Sequence, residues 1–272
     1  MNRSYLLDLG SHSVKLYRRD DDEELLLLRT VTWRVLETAV EPENLAAALQ
    51  SVLAEVDDFR TVQAVATAAF RRDVRLGAAI TRLCKGLGIS LEIIDQRAEA
   101  RLLRAAVSSS GKGSDLDAIN VGGGSIQIIS GDGSEHLLLF GISDLNKRFG
   151  LAGPVKERRV QECQDFVVGE LPAWLDEFWY TGGERTYLEH FGVPLSGLWC
   201  ARSDFEAFAD DLATWTGDRL RSRSPYDDGW MTGAVASNCI VLAGLKRNDL
   251  NKFAPADLNI SHGVHKSAVP VT

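Results

Sequence analysis

Two stretches of this chain repeat one another. Asp8-Leu-Gly-Ser-His-Ser-Val-Lys-Leu16 and Asn120-Val-Gly-Gly-Gly-Ser-Ile-Gln-Ile128 carry Gly and Ser in matching registers. Each follows an apolar run, Tyr5 to Leu7 in one case and Ala118 to Ile119 in the other, and each passes into period-2 alternation. The pattern predicts strand, tight glycine turn, strand. A tip built of Gly and Ser presents backbone N–H groups with no Cβ in the way and adds a hydroxyl, so it can nest a phosphate. Taken alone, either stretch is equally an ordinary glycine hairpin. Occurring twice, they predict two related lobes whose tips clamp a phosphate from both sides.

The remaining sequence bounds that reading. With 272 residues the chain can build one large domain or two lobes, each with its own core. A net charge of -8 argues against an indiscriminate nucleic-acid binder, whose affinity comes from Lys and Arg on phosphates. Any anion must then be held by local nests or by a metal. Apolar runs such as Leu25 to Leu28 and Leu137 to Phe140 are too short to span a bilayer, and Met1-Asn-Arg-Ser has no apolar leader. The expectation is a cytoplasmic protein without membrane partners. Cys84, Cys163, Cys200 and Cys239 lack zinc-site spacing and read as reduced thiols.

Periodicity predicts a charged tip over Arg19 to Glu24, a strand over Leu25 to Val35 and a helix carrying Leu45, Leu49, Val52, Leu53 and Val56. A strand over Val62 to Thr67, one helix over Ala68 to Leu87, a buried strand over Leu91 to Ile94 and a helix from Arg97 to Val107 follow. Ser108-Ser-Ser-Gly-Lys-Gly-Ser114 reads as a linker at a lobe boundary. Beyond it come the second hairpin, a strand to Phe140, a helix around Val155 to Leu171, a strand ending at Trp179-Tyr180, and helices over Asp204 to Arg221 and Trp230 to Leu245. The order is that of an α/β protein.

A third glycine turn, Tyr180-Thr-Gly-Gly-Glu184, closes its own strand. Three glycine loops at strand ends in two related lobes resemble the actin, heat-shock chaperone and sugar-kinase superfamily. Within it, the chain resembles the exopolyphosphatase and guanosine-pentaphosphate phosphohydrolase family, Ppx/GppA. The resemblance is carried by the two hairpins, Ala66-Thr-Ala-Ala-Phe-Arg71, Glu99-Ala-Arg-Leu102 and Thr181-Gly-Gly183, with a weaker echo in Ser261-His-Gly-Val264. It implies a two-lobed actin-like (ribonuclease H-like) α/β fold with mixed sheets flanked by helices. The lobes would be residues 1–112 and 113–272, with a return of the last residues to the first lobe left open.

The family's long polyphosphatases carry C-terminal helical domains. This chain resembles their catalytic core, which implies a small phosphorylated substrate, with a homodimer as an open alternative; no nucleic acid is expected, given the net charge of -8. The implied reaction is metal-assisted attack of water on a terminal phosphate of a nucleotide, alarmone, short polyphosphate or small metabolite. Gly10, Ser11, Ser13, Gly122, Gly123, Gly124 and Ser125 would supply phosphate donors, joined by Gly182 and Gly183 of the third turn. Asp8 and Asn120 would hold Mg2+ (or Mn2+), and Glu99 would position the water. Read on composition alone, Glu99 is a helix-surface carboxylate paired with a neighbouring Arg. Arg71 has the planar fork that suits phosphate, or is a solvated helix residue. Lys15 is a phosphate ligand or a solvated strand residue. His12, which replaces the family's Asn, could move a proton, or is an exposed turn residue. His262 and His265 read as structural.

Two departures stand out. Where the family has Asp and Thr-Glu around the second loop, this chain has Asn120 and Ile126-Gln127. An amide brings no charge and cannot act as a base. A phosphate-binding module that no longer turns over is therefore the rival reading; phosphotransfer to another acceptor ranks below both, since no sugar-site signature is visible.

Overall fold

A computed structural model describes residues 4–19, 25–37, 42–111, 113 and 115–267. Ser4–Leu9 (β1) and Ser13–Arg19 (β2) form the first hairpin, extended by Leu25–Thr32 (β3). Then come Pro42–Val52 (α1), Val62–Ala66 (β4), Ala68–Arg72 (α2), Val74–Leu87 (α3), Ser90–Ile93 (β5) and Gln96–Ser109 (α4). The second half opens with Asp117–Val121 (β6), Ile126–Ile129 (β7), Glu135–Leu138 (β8), Ile142–Phe149 (α5), Glu157–Glu170 (α6) and Phe178–Thr181 (β9). It continues through Glu184–His190 (α7), Cys200–Ala201 (β10), Arg202–Ala213 (α8), Gly217–Ser222 (α9), Ala234–Arg247 (α10), Lys252–Ala256 (β11) and Ile260–Lys266 (α11).

The sequence repeat is a repeat of architecture. One sheet runs β3-β2-β1-β4-β5, the other β8-β7-β6-β9-β11 with β10 added at the edge. In each, the first three strands are antiparallel and the next two join in parallel. Both sheets are thus mixed, and both hairpin tips emerge beside the parallel strand ends. In the first sheet β1 is central and its apolar residues are covered on both faces, whereas the outer β3 leaves Leu26 46% and Leu27 37% exposed.

The helix that follows the last strand of each half crosses to the other half's sheet. Helix α4 buries Ala100, Leu103 and Val107 among Ala118, Ile129, Trp179, Ala254 and Ala256 of the second sheet. Helix α11 buries Ile260 and Val264 with Leu6, Tyr17 and Val65 of the first. The two cross at a glycine: a Cβ on Gly263 would stand 1.9 Å from the Leu102 carbonyl oxygen.

Several expectations need correction. The single helix over 68–87 is two, because Asp73 turns extended and its carboxylate accepts from the N–H groups of Arg75 and Leu76, capping α3. Likewise the helix over 204–221 is broken, with Thr216 capping α9. Strand β5 is an edge strand and half-open, not buried. Strand β3 ends at Thr32, three residues before Val35. Ser108 and Ser109, expected in the linker, belong to the last turn of α4; residues 20–24 of the charged tip, and Lys112 and Ser114 of the linker, lie outside the described residues. Among the described residues no helix is long and apolar enough to cross a membrane.

Candidate active site

Both tips are closed by the same bond. The Gly10 N–H donates to the Ser13 carbonyl at 3.1 Å, and the Gly122 N–H to the Ser125 carbonyl at 3.0 Å. The tips meet: a Cβ on Gly123 would lie 2.8 Å from the His12 backbone nitrogen, so this glycine is required for contact between the hairpins as well as for any anion. Tip carbonyls are used up by the surroundings. Gly10 accepts from the Trp33 indole at 2.7 Å, while Gly122 and Gly123 accept from Ile142 and Ser143 at 3.1 and 2.8 Å. Among the described residues, the backbone N–H groups of Ser11, His12, Gly123 and Gly124 have no acceptor. An anion between the tips would find donors without competing acceptors.

Between the tips lies a cavity of about 120 Å³, lined by both of them and by Asp8, Lys15, Glu99, Asn120 and Gly182. One water needs roughly 10–15 Å³, so there is room for a phosphoryl group and a small leaving group. Lys15 faces it because it pairs directly opposite Asp8 in the hairpin register, which places both side chains on one face. Gly182 and Gly183 have φ of 126° and 105°, the left-handed side that makes glycine necessary in this third turn.

Glu99 is 3% exposed and held at both oxygens. Its Oε1 accepts from Arg71 Nη1 at 2.6 Å and its Oε2 from Gln127 Nε2 at 3.1 Å. Gln127 in turn accepts from Asn120 Nδ2 at 2.7 Å, and Asn120 Oδ1 accepts from the Thr181 hydroxyl at 3.1 Å. One directed chain thus runs Thr181, Asn120, Gln127, Glu99. It exists because Asn120 and Gln127 stand opposite each other on β6 and β7, and Thr181 stands beside Asn120 on β9. Burial pushes the Glu99 carboxyl up to about 7, against the pull of the Arg71 guanidinium. Asp8 is also raised by burial, with Lys15 and a 3.3 Å bond from the Ser261 hydroxyl opposing.

The other anticipated residues fall in different places. Arg71 stands behind Glu99, bonded to it and to the Ile94 carbonyl, and does not line the cavity. Ser11 lines it, but its hydroxyl oxygen accepts from the Ala69 N–H at 3.0 Å and so helps start α2. The His12 ring is buried, with Nε2 at 3.3 Å from the Trp230 carbonyl and Nδ1 at 3.7 Å from Glu37. Gly183 lines a neighbouring pocket that shares Lys15 and Gly182 with the first. His262 lies in that pocket too, its imidazole pushed down to about 4 by burial.

Four side chains had no role assigned from the sequence, although Thr181, Glu184 and Ser261 stand in its motifs. Thr181 begins the chain of bonds to Glu99, and Ser261 reaches Asp8 from α11. Arg72 ties the second tip to the first half through the Gly124 carbonyl and Asp144. Glu184 lines the cavity from the start of α7. For Glu184 the signal was present, an acid directly after a glycine turn; for the others only the fold brings the partners together.

The donor set does not make a resident cation site. Both ends of the Asn120 amide are engaged by Thr181 and Gln127, Glu99 is held at both oxygens, and among the described residues no group of three His, Cys, Asp or Glu converges. A Mg2+ or Mn2+ ion that enters on substrate phosphate oxygens needs fewer protein ligands, and Asp8 could be one.

Residues 42–192 match the profile of the Ppx/GppA phosphatase family. Among solved structures, an exopolyphosphatase from Cytophaga hutchinsonii superposes with a TM-score of 0.80 at 18% identity, covering 97% of this chain and 96% of that one. The Ppx/GppA family member of Aquifex aeolicus does so with a TM-score of 0.72 at 22% identity, covering 97% and 96%. The fold shared with them is the two-lobed, actin-like arrangement of mixed sheets that the glycine loops implied.

Proposed function

The chain belongs to the Ppx/GppA phosphatase family, and on that premise we propose that it hydrolyses the terminal phosphate of a small phosphorylated substrate. The phosphate lies between the two tips, met by the N–H groups of Ser11, His12, Gly123 and Gly124 and by Lys15. Glu99 orients the attacking water and takes its proton; the water oxygen bonds to phosphorus as the bond to the leaving oxygen breaks. Arg71 and Gln127 hold the carboxylate in one orientation throughout. A divalent cation carried in with the substrate would neutralise phosphate charge, and Asp8 is the residue that would hold it.

A single observation carries this reading: a buried carboxyl poised near neutrality, fixed at both oxygens, in a cavity between two anion nests. General bases work best when their pKa lies near the operating pH. The test is phosphate release from a panel of nucleotides, short polyphosphates and phosphate monoesters with Mg2+ or Mn2+, comparing the protein with Glu99→Gln. A loss of about 10²–10⁴-fold with binding retained is expected. Release that survives the substitution overturns it.

The binding-module reading draws on the neutral Asn120–Gln127 pair. It requires binding without release in the same assay. Asn120→Asp separates the two further: the new carboxylate would face Gln127, and Mn2+ binding, followed by calorimetry, is expected to appear in the variant and to be absent from the unaltered protein without substrate.

A further inference from the structure

One wall of the cavity serves no step of phosphate chemistry. It is formed by Glu184, Tyr187, Trp230 and Ser237. Glu184 is 5% exposed, and its Oε1 has no hydrogen-bond partner among the described residues. The start of α7 does not need it, because Asp257 already caps that helix, accepting from the Thr186 N–H at 3.0 Å and hydroxyl at 2.7 Å. A buried polar oxygen without a partner costs free energy until something supplies one.

Charge and shape narrow what that something is. Burial, and after it the charge of Asp257, push Glu184 up to about 8, and the groups around it, Tyr180, Tyr187, Tyr226 and Cys200, are themselves raised and neutral. At neutral pH Glu184 is therefore a carboxylic acid, with one donor and one acceptor. A hydroxyl is its complement, since it too donates and accepts. Beside it, the rings of Tyr187 and Trp230 pack at 5.5 Å and offer an apolar face for the carbons that bear such a hydroxyl. The next unit of a phosphate chain would bring negative charge towards Asp257, the carboxylate whose field already reaches Glu184.

We propose that Glu184 is a specificity-determining residue that receives a hydroxyl of the substrate's leaving group, so that the cavity takes the phosphate ester of a small hydroxylated molecule. This deepens the hydrolase reading by naming its substrate class, and its test does not depend on turnover. Dissociation constants are measured by calorimetry for methyl phosphate, glycerol 3-phosphate and 2-aminoethyl phosphate, which share the phosphate and differ in what hangs from it. Glycerol 3-phosphate is expected to bind about tenfold more tightly than methyl phosphate, the range of one well-made hydrogen bond. Glu184→Leu and Glu184→Ala are each expected to erase that ratio, and Glu184→Gln, which keeps a donor and an acceptor, to retain most of it. The proposal is overturned by equal binding of methyl and glycerol phosphates, by a ratio that survives truncation, or by a preference for the ammonium of 2-aminoethyl phosphate. If the ratio behaves as expected while no phosphate is released, the hydrolase reading fails and this one stands.

Discussion

At the scale of single residues, Glu99 balances two opposed terms. Burial disfavours its charge, and Arg71 at 2.6 Å favours it. As a base it must be deprotonated, so phosphate release is expected to rise with pH through about 7. Arg71→Met removes the positive charge that favours the carboxylate, and the acid limb should move upward by about one pH unit or more. At neutral pH that is roughly a tenfold loss, recovered in part in alkaline buffer. Gln127→Glu should shift the limb in the same direction without removing a cation, because a second carboxylate beside the first makes its ionisation harder. A limb that stays in place in both variants would mean that Glu99 is not the titrating group. The motif identified Glu99 and Arg71 separately. Arg71 on α2 reaches Glu99 within the first half, and Gln127 reaches it from β7 because α4 lies over the second sheet; no local pattern records either contact.

Among the elements, the crossing of α4 and α11 makes a prediction whose sign differs from the usual rule. Replacing a helical Gly by Ala generally stabilises, by about 0.5–1 kcal/mol. Gly86 in α3 has open space where a Cβ would go, and Gly86→Ala should raise the melting temperature. Gly263→Ala should lower it sharply, at a cost of about 1–3 kcal/mol, because backbone of α4 occupies the position. Thermal unfolding of the two variants checks both. The hairpins, β4 and the span of α4 were legible because periodicity and glycine turns are local. Strand β11 was not: Lys252-Phe-Ala-Pro-Ala256 is short and contains Pro255, which argues against a central strand. The sheet accepts it because β10 pairs only with Lys252 and Phe253 and does not reach Pro255. The breaks at Asp73 and Thr216 were readable in principle, since both are capping residues in mid-pattern.

For the molecule as a whole, bonds across the cleft set how tightly it closes. Asp227 accepts from both the backbone and the hydroxyl of Thr32, His12 approaches Trp230, and Arg72 reaches Asp144. Asp227 stands in the segment before Trp230, which lines the cavity, so its contact with β3 ties that segment to the first half. Asp227→Ala should raise KM several-fold more than it lowers kcat, and small-angle scattering should show a larger radius of gyration that contracts on adding phosphate. An unchanged radius with unchanged KM would show that the cleft closes without this strap. The helices exchanged between the two sheets carry a further consequence. Cut at its glycine-serine linker, the chain would yield an N-terminal piece holding a helix made for the other sheet, and a C-terminal piece in the same position. Each fragment would expose the apolar seat of a helix the other carries, so the two should be insoluble when expressed apart and recover a single unfolding transition when expressed together.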